Sequence, residues 1–219
     1  MNGIRAVVFD FDGVLADTER LHLAAYQQIF STRSVTLTRD DYYSRYLGYD
    51  DYGVFRRMSD DHGLALTPQE IAVLIAEKAS AFDGVIAGTD VLYPAAASCI
   101  ERLAREYPLG ICSGAMRHEI EMILTRAALD RHINFIVAAG DTPRSKPAPD
   151  PYARAADLHR LPAAACVAIE DSRWGIVAAK TAGLKCVAIT NTYSASELTD
   201  ADAVIMSLDE FAGELIQRL

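Results

Sequence analysis

The sequence predicts an α/β fold: a doubly wound parallel sheet with an α-helical domain inserted after the first strand. Three observations predict it. Short β-rich runs recur along the 219 residues with helix-like stretches between most of them, which is the rhythm of βαβ units. The runs are near-continuously apolar, as in Ala165-Cys166-Val167-Ala168-Ile169, and strands buried on both faces read that way. One long stretch near the N-terminus carries helical patterns with no convincing strand, so it interrupts the rhythm instead of continuing it.

Taken in order, the first strand is predicted over residues 4–9, Ile4-Arg5-Ala6-Val7-Val8-Phe9. The inserted region follows, and the boundaries place residues 1–14 and 92–219 in the sheet domain and 15–91 in the helical one. Within the insertion, helices are expected over 18–31, 38–47, 51–62 and 68–83. Thr67-Pro68-Gln69-Glu70 opens the last of them, because the threonine can cap and proline suits the first helical position. Four such helices can bury a small core of their own. The junctions near Leu15-Ala16-Asp17 and Gly88-Thr89-Asp90 are either the linkers of a mobile cap or the anchors of a rigid decoration. Further strands are predicted over 108–112, 134–138, 165–169, 185–189 and 203–206. Ser207, followed three residues later by Glu210, signals the start of a final helix ending at Leu219.

Composition excludes several functions. The net charge of −9 supplies no basic footprint for nucleic acid or an anionic membrane surface. No apolar run approaches the ~18 residues a membrane span needs, and the N-terminal segment has none of the regions of a secretory signal, so a cytoplasmic protein is expected. Cys99, Cys112, Cys166 and Cys186 are widely spaced and form no zinc or redox pattern; three of them fall in predicted strands, where cysteine packs as a small hydrophobe.

The chemistry concentrates at predicted strand ends, where ligands of open α/β sheets gather. Asp10-Phe11-Asp12 directly follows the first strand, and alternation sets both carboxylates on one side of an extended backbone. Two like charges sharing space call for a cation or a proton, a setting suited to Mg²⁺ and phosphate, although Asp-Phe-Asp-Gly also reads as a turn. Ser113-Gly114-Ala115 follows the second strand, with a hydroxyl and amides able to hold phosphate oxygens, or with a serine that merely caps a helix. Ser145-Lys146-Pro147 places an ammonium between rigidifying prolines. Glu170-Asp171-Ser172 and then Gly175 close a buried strand with two acids, where Asp171 as a helix cap is the plainer alternative.

These four segments, Asp10-Phe11-Asp12-Gly13-Val14-Leu15, Ser113-Gly114, Lys146-Pro147 and Glu170-Asp171-Ser172, resemble in order the four motifs of the haloacid dehalogenase superfamily. The subgroup most similar has a helical cap between the first two motifs and includes β-phosphoglucomutase and phosphoglycolate phosphatase. The resemblance implies a phosphatase with a Rossmann-like core, in which Asp10 is the nucleophile that forms an aspartyl phosphate and Asp12 the general acid and base. It implies Mg²⁺ held by Asp10, the Asp12 backbone carbonyl and Asp171 with Glu170 nearby, and phosphate held by Ser113, Gly114 and Lys146. The partner expected is a small phosphorylated metabolite, with a monomeric state favoured.

The resemblance also points to cap residues near substrate: Thr18, Glu19 and His22, and the loop Leu47-Gly48-Tyr49-Asp50-Asp51. Where β-phosphoglucomutase carries an arginine for a second phosphate, a simple alignment puts Asp51. A carboxylate there repels phosphate, which favours a hydrolase over a mutase, unless Arg45, Arg56 or Lys78 takes the arginine's place. Arg117 and His118 either reach the pocket or face solvent. Trp174 and the tyrosines Tyr42, Tyr43 and Tyr46 read as packing residues. A phosphoacceptor signalling module is a minor alternative: it shares the Asp, Ser/Thr and Lys set, but its acceptor aspartate follows a middle strand and it has no inserted cap.

Overall fold

The computed structural model describes residues 3–86 and 89–219, so Gly88 of the second junction lies outside the described residues. The chain divides into two compact units, one formed by residues up to Asp17 together with Leu92–Leu219, the other by Thr18–Val91.

The first unit is built on a six-stranded sheet: β1 (Ala6–Phe9), β2 (Leu109–Cys112), β3 (Phe135–Val137), β4 (Cys166–Glu170), β5 (Lys185–Ile189) and β6 (Ala203–Ile205). Every pairing is parallel and the order is β3-β2-β1-β4-β5-β6. All four residues of β1 are fully buried, as the unbroken apolar run requires of a central strand covered on both faces. Ala6 and Val8 pack with Cys112, Tyr152, Cys166, Ile176 and Cys186 in one continuous core. The four cysteines are buried and unbridged, which is the packing role the sequence assigns them. The chain leaves β1 for β2 on one side and returns to β4 on the other, so the strand order reverses beside β1. That crevice lies at carboxyl ends, where Asp10 and Glu170 stand in register neighbourhood because Phe9 pairs with Ile169.

The second unit contains the helices Glu19–Ser31, Asp51–His62 and Pro68–Ile86 and a short turn Arg39–Asp41 that widens into a π-helical segment, Tyr42–Tyr46. Phe55 meets Tyr26 and Phe30 at ring-centroid distances of 5.5 and 5.4 Å, the centre of a small aromatic core. Thr67 and Glu70 form the expected capping box, with Glu70 N–H donating to Thr67 Oγ1 and Thr67 N–H to Glu70 Oε2. Among the described residues no helix is long and apolar enough to cross a membrane.

Two predicted elements differ. The helix expected over 38–47 is instead a single capped turn followed by the wider π segment, in which Leu47 N–H bonds to Tyr42 O. The widened turn lets both buried tyrosines find acids, Tyr42 donating to Glu19 and Tyr46 to Asp61. The final helix does not run from Ser207 to the end. It splits into a 3-10 turn, Leu208–Glu210, and a separate helix, Gly213–Arg218. The cause is distant in sequence: Arg102 donates to the carbonyls of Phe211 and Leu208 at 2.9 and 3.3 Å, taking acceptors that a continuous helix would use. Buried Phe211 fixes the break.

Candidate active site

The extended backbone stops at Phe9, so Asp10 and Asp12 are presented by the turn that follows and not by strand alternation. The N–H groups of Val14, Leu15 and Ala16 all donate to Phe11 O, which coils the loop tightly over the sheet edge. Gly13 makes this possible: it sits at φ +77°, and a β-carbon there would lie 1.9 Å from Asp171 Oδ2. Asn191 at the end of β5 donates to Gly13 O at 2.8 Å and holds the loop down.

Asp10, Glu170 and Asp171, all buried, offer carboxylate oxygens that lie within 4.8 Å of one another. Burial, followed by the Glu170 charge, pushes the Asp10 carboxyl well above the usual carboxylate range; Lys146 opposes this, and Asp171 and Asp12 add to it. Lys146 Nζ sits 3.1 Å from Asp10 Oδ1 and 2.6 Å from Glu170 Oε1, and donates to Cys112 O at 2.9 Å. Burial disfavours its ammonium, yet Asp10 and Glu170 hold the Lys146 pKa above lysine's ordinary value. One cation thus faces three acids, and the remaining negative charge suits a divalent ion. A donor set of carboxylate oxygens could hold a hard cation of the Mg²⁺ kind.

Glu170 is held on both oxygens. Oε1 accepts from Lys146 and from Tyr152 OH at 2.5 Å, while Oε2 accepts from Asp171 N–H and Ser172 OH, each at 3.3 Å. Burial, reinforced by Glu170, pushes the Tyr152 phenol well above its usual pKa, so it stays a donor. Gly175 is required beneath Glu170, since a β-carbon there would come within 2.0 Å of its carboxylate oxygens. Asp171 does not cap the following helix; Ser172 does, accepting from Gly175 N–H at 3.1 Å.

Ser113 Oγ donates to Asp12 Oδ2 at 3.3 Å and accepts from Ala115 N–H at 3.1 Å. The helix after it begins only at Arg117 with Met116 at the cap position, so Ser113 is no helix cap. Gly114 is exposed, with open space where a side chain would stand. The structure therefore brings Asp10, Asp12, Ser113, Glu170 and Asp171 together at the carboxyl ends of β1, β2 and β4, with Lys146 reaching in from the long loop after β3. Arg117 is engaged elsewhere, donating to Ile136 O and Asp141 Oδ2 at 2.9 and 2.6 Å, and His118 is exposed.

In the helical unit, three sequence candidates share one buried cluster. Lys78, 1% exposed, lies 3.0 Å from Asp51 Oδ1 and 2.8 Å from His22 Nδ1. Tyr26 OH donates to the same Asp51 oxygen, and His22 stacks on Phe82 with centroids 4.2 Å apart. The Asp51 charge is thus balanced by Lys78 within the unit, which sequence alone did not show. Glu19 accepts from Tyr42, and Arg45 and Arg56 pair with Asp61 and Asp60. Thr18 is buried where its carbonyl starts the first helix, and Gly48 adopts φ +95° in the loop before Asp51. Trp174 packs against Tyr193 at 6.1 Å, in keeping with its expected role.

Sequence reasoning missed Tyr152 and Asn191. Asn191 carried a signal, its place at a strand's carboxyl end; Tyr152 lies inside a helix and carried none.

A profile for haloacid dehalogenase-like hydrolases matches residues 7–189. Protein CbbY of Rhodobacter capsulatus is 32% identical over 232 residues, covering 99% of both chains. Validoxylamine A 7'-phosphate phosphatase of Streptomyces hygroscopicus subsp. limoneus is 26% identical and is matched over 94% of this chain and 95% of its own. The crystal structure of a CbbY mutant from Rhodobacter sphaeroides, in complex with xylulose-(1,5)bisphosphate, superposes with a TM-score of 0.87 at 25% identity, covering 99% of this chain and 100% of that one.

Proposed function

The chain belongs to the haloacid dehalogenase-like hydrolase family and is an enzyme of its phosphatase type, and from that premise we propose that it hydrolyses a small phosphorylated metabolite through an aspartyl phosphate on Asp10. The observation that carries this reading is the convergence of Asp10, Lys146, Glu170 and Asp171 at the point where the strand order reverses.

An oxygen of the Asp10 carboxylate attacks phosphorus in line, and the bond from phosphorus to the ester oxygen breaks. Asp12 gives its proton to the departing oxygen. Water then attacks the phosphorus of the acyl phosphate, Asp12 takes the water's proton, and the bond to Asp10 breaks to release inorganic phosphate. Ser113 and Lys146 hold the equatorial oxygens, Lys146 exchanging part of its contact with Glu170 and Asp10 for the phosphoryl charge. Asp10, Asp171 and the Asp12 carbonyl would hold Mg²⁺, with Glu170 beside it. The cation supplies charge neutralisation that lets a phosphate dianion approach these acids.

A sugar phosphate or similar metabolite is the substrate class, supported by the bisphosphate that a CbbY structure contains. Within the helical insert, Glu19, His22, Asp51 and Lys78 are the candidates for substrate selection. Hydrolase is preferred to mutase because Arg45, Arg56 and Lys78, the candidates to replace an arginine that grips a second phosphate, are each paired with an acid. The unbridged cysteines suit a cytoplasmic enzyme. Phosphate release from a panel of phosphorylated metabolites in Mg²⁺ tests the reading: Asp10→Asn should abolish it and EDTA should stop it. Asp10→Asn activity within a few-fold of wild type, or turnover undiminished by EDTA, refutes the assignment.

A further inference from the structure

Glu170 is held unevenly. Its Oε1 takes two short hydrogen bonds, from Lys146 at 2.6 Å and Tyr152 at 2.5 Å, whereas Oε2 takes two long ones of 3.3 Å. Lys146 is shared among Glu170, Asp10 and Cys112 O, and its Nζ stands 5.0 Å over the Tyr152 ring. When phosphoryl charge enters, the ammonium must divide its attraction again. The Tyr152 hydroxyl has one proton, aimed at Oε1 from a fully buried ring on the helix Asp150–His159, and that helix start is pinned by Arg144 bridging both oxygens of Asp150 at 2.8 and 2.6 Å. Its hold on Glu170 does not depend on where Lys146 turns.

We propose that Tyr152 is a positioning residue: it anchors Glu170 through Oε1 and so keeps that carboxylate in place beside Asp10 and Asp171, the cation site. The inference rests on the cation reading given above. Outer-shell partners of this kind typically change metal affinity by about 10–100-fold when removed.

The test is Mg²⁺ titration by calorimetry on the full chain, compared between wild type and Tyr152→Phe, which keeps the ring and loses the hydroxyl. The expected result is about tenfold weaker Mg²⁺ binding in Tyr152→Phe, with a matching rise in the Mg²⁺ concentration for half-maximal turnover and kcat recovered within about two-fold at saturation. In a Glu170→Gln background the same substitution should change Mg²⁺ affinity no further, because the groups act as one unit. Equal Mg²⁺ affinity in Tyr152→Phe, a further loss in the Glu170→Gln background, or a lower melting temperature with unchanged Mg²⁺ binding overturns the inference, as does a Tyr152→Phe chain that fails to fold. A wild-type chain that takes up no Mg²⁺ overturns the cation reading and this inference with it, whereas wild-type binding with an unaffected Tyr152→Phe overturns the inference alone.

Discussion

Gly175→Ala sets two effects of known sign against each other. Gly175 lies inside the helix Arg173–Thr181, where alanine is the better helix former by about 1 kcal/mol. Its φ is not in the left-handed region, so backbone strain adds nothing. Against this stands contact: the new β-carbon would sit 1.9 Å from the Glu170 carboxyl carbon and 2.0 Å from both its oxygens. Glu170 cannot swing aside cheaply, because Lys146, Tyr152, Asp171 N–H and Ser172 hold it. Overpacking of a rigid site costs about 3 kcal/mol, near the top of the usual range, which leaves a net loss of about 2 kcal/mol after the helix gain. For a chain of this size that lowers the melting temperature by about 4–8 °C. Displacing Glu170 should also reduce Mg²⁺-dependent release of nitrophenol from p-nitrophenyl phosphate by at least about tenfold. The assay is a thermal melt with a parallel rate measurement. A melting temperature that rises, with turnover within two-fold of wild type, would show that helix propensity wins and that Glu170 is not fixed against this helix.

Three further outcomes are expected. Lys78→Met leaves Asp51 buried without its cation and should destabilise the chain by about 3 kcal/mol in urea unfolding, while Lys78→Met with Asp51→Leu should recover most of it; equal losses would refute the pairing. Asp202 accepts two hydrogen bonds from Lys180 at 2.7 Å and one from Cys186 N–H at 2.8 Å; these contacts outweigh the upward push of its burial and hold its carboxyl below the usual range. Its stabilisation is present above the unfolded pKa of about 4 and is lost as pH falls through the lower folded value. Asp202→Asn should therefore cost about 1 kcal/mol at pH 7 and progressively less as pH falls below about 4, read from urea midpoints; a gap that does not shrink as the pH is lowered would contradict this. Incubated with β-glucose 1-phosphate and a trace of the 1,6-bisphosphate, the enzyme should release phosphate; accumulating glucose 6-phosphate would establish a mutase instead.

The strands were legible because a buried central strand is apolar along its length, as β1 is and as β4 is up to Ile169, before Glu170 ends it. The break in the segment read as the last helix was not, because Arg102 reaches the carbonyls of Leu208 and Phe211 from far along the chain. That Asp10, Asp12, Ser113, Glu170 and Asp171 gather at one edge of the sheet was legible from their places just after strands. The turn that presents Asp10 and Asp12, and the roles of Tyr152 and Asn191, were not.

The residue order alone was enough to say which strand ends meet, since parallel strands joined by helices deliver their carboxyl ends to one edge of the sheet. How the charges there are shared could be seen only in the folded chain. Lys146 divides itself between Asp10 and Glu170, and Lys78 balances Asp51, because such pairings depend on distances of a few ångströms between segments whose relative placement no local pattern encodes.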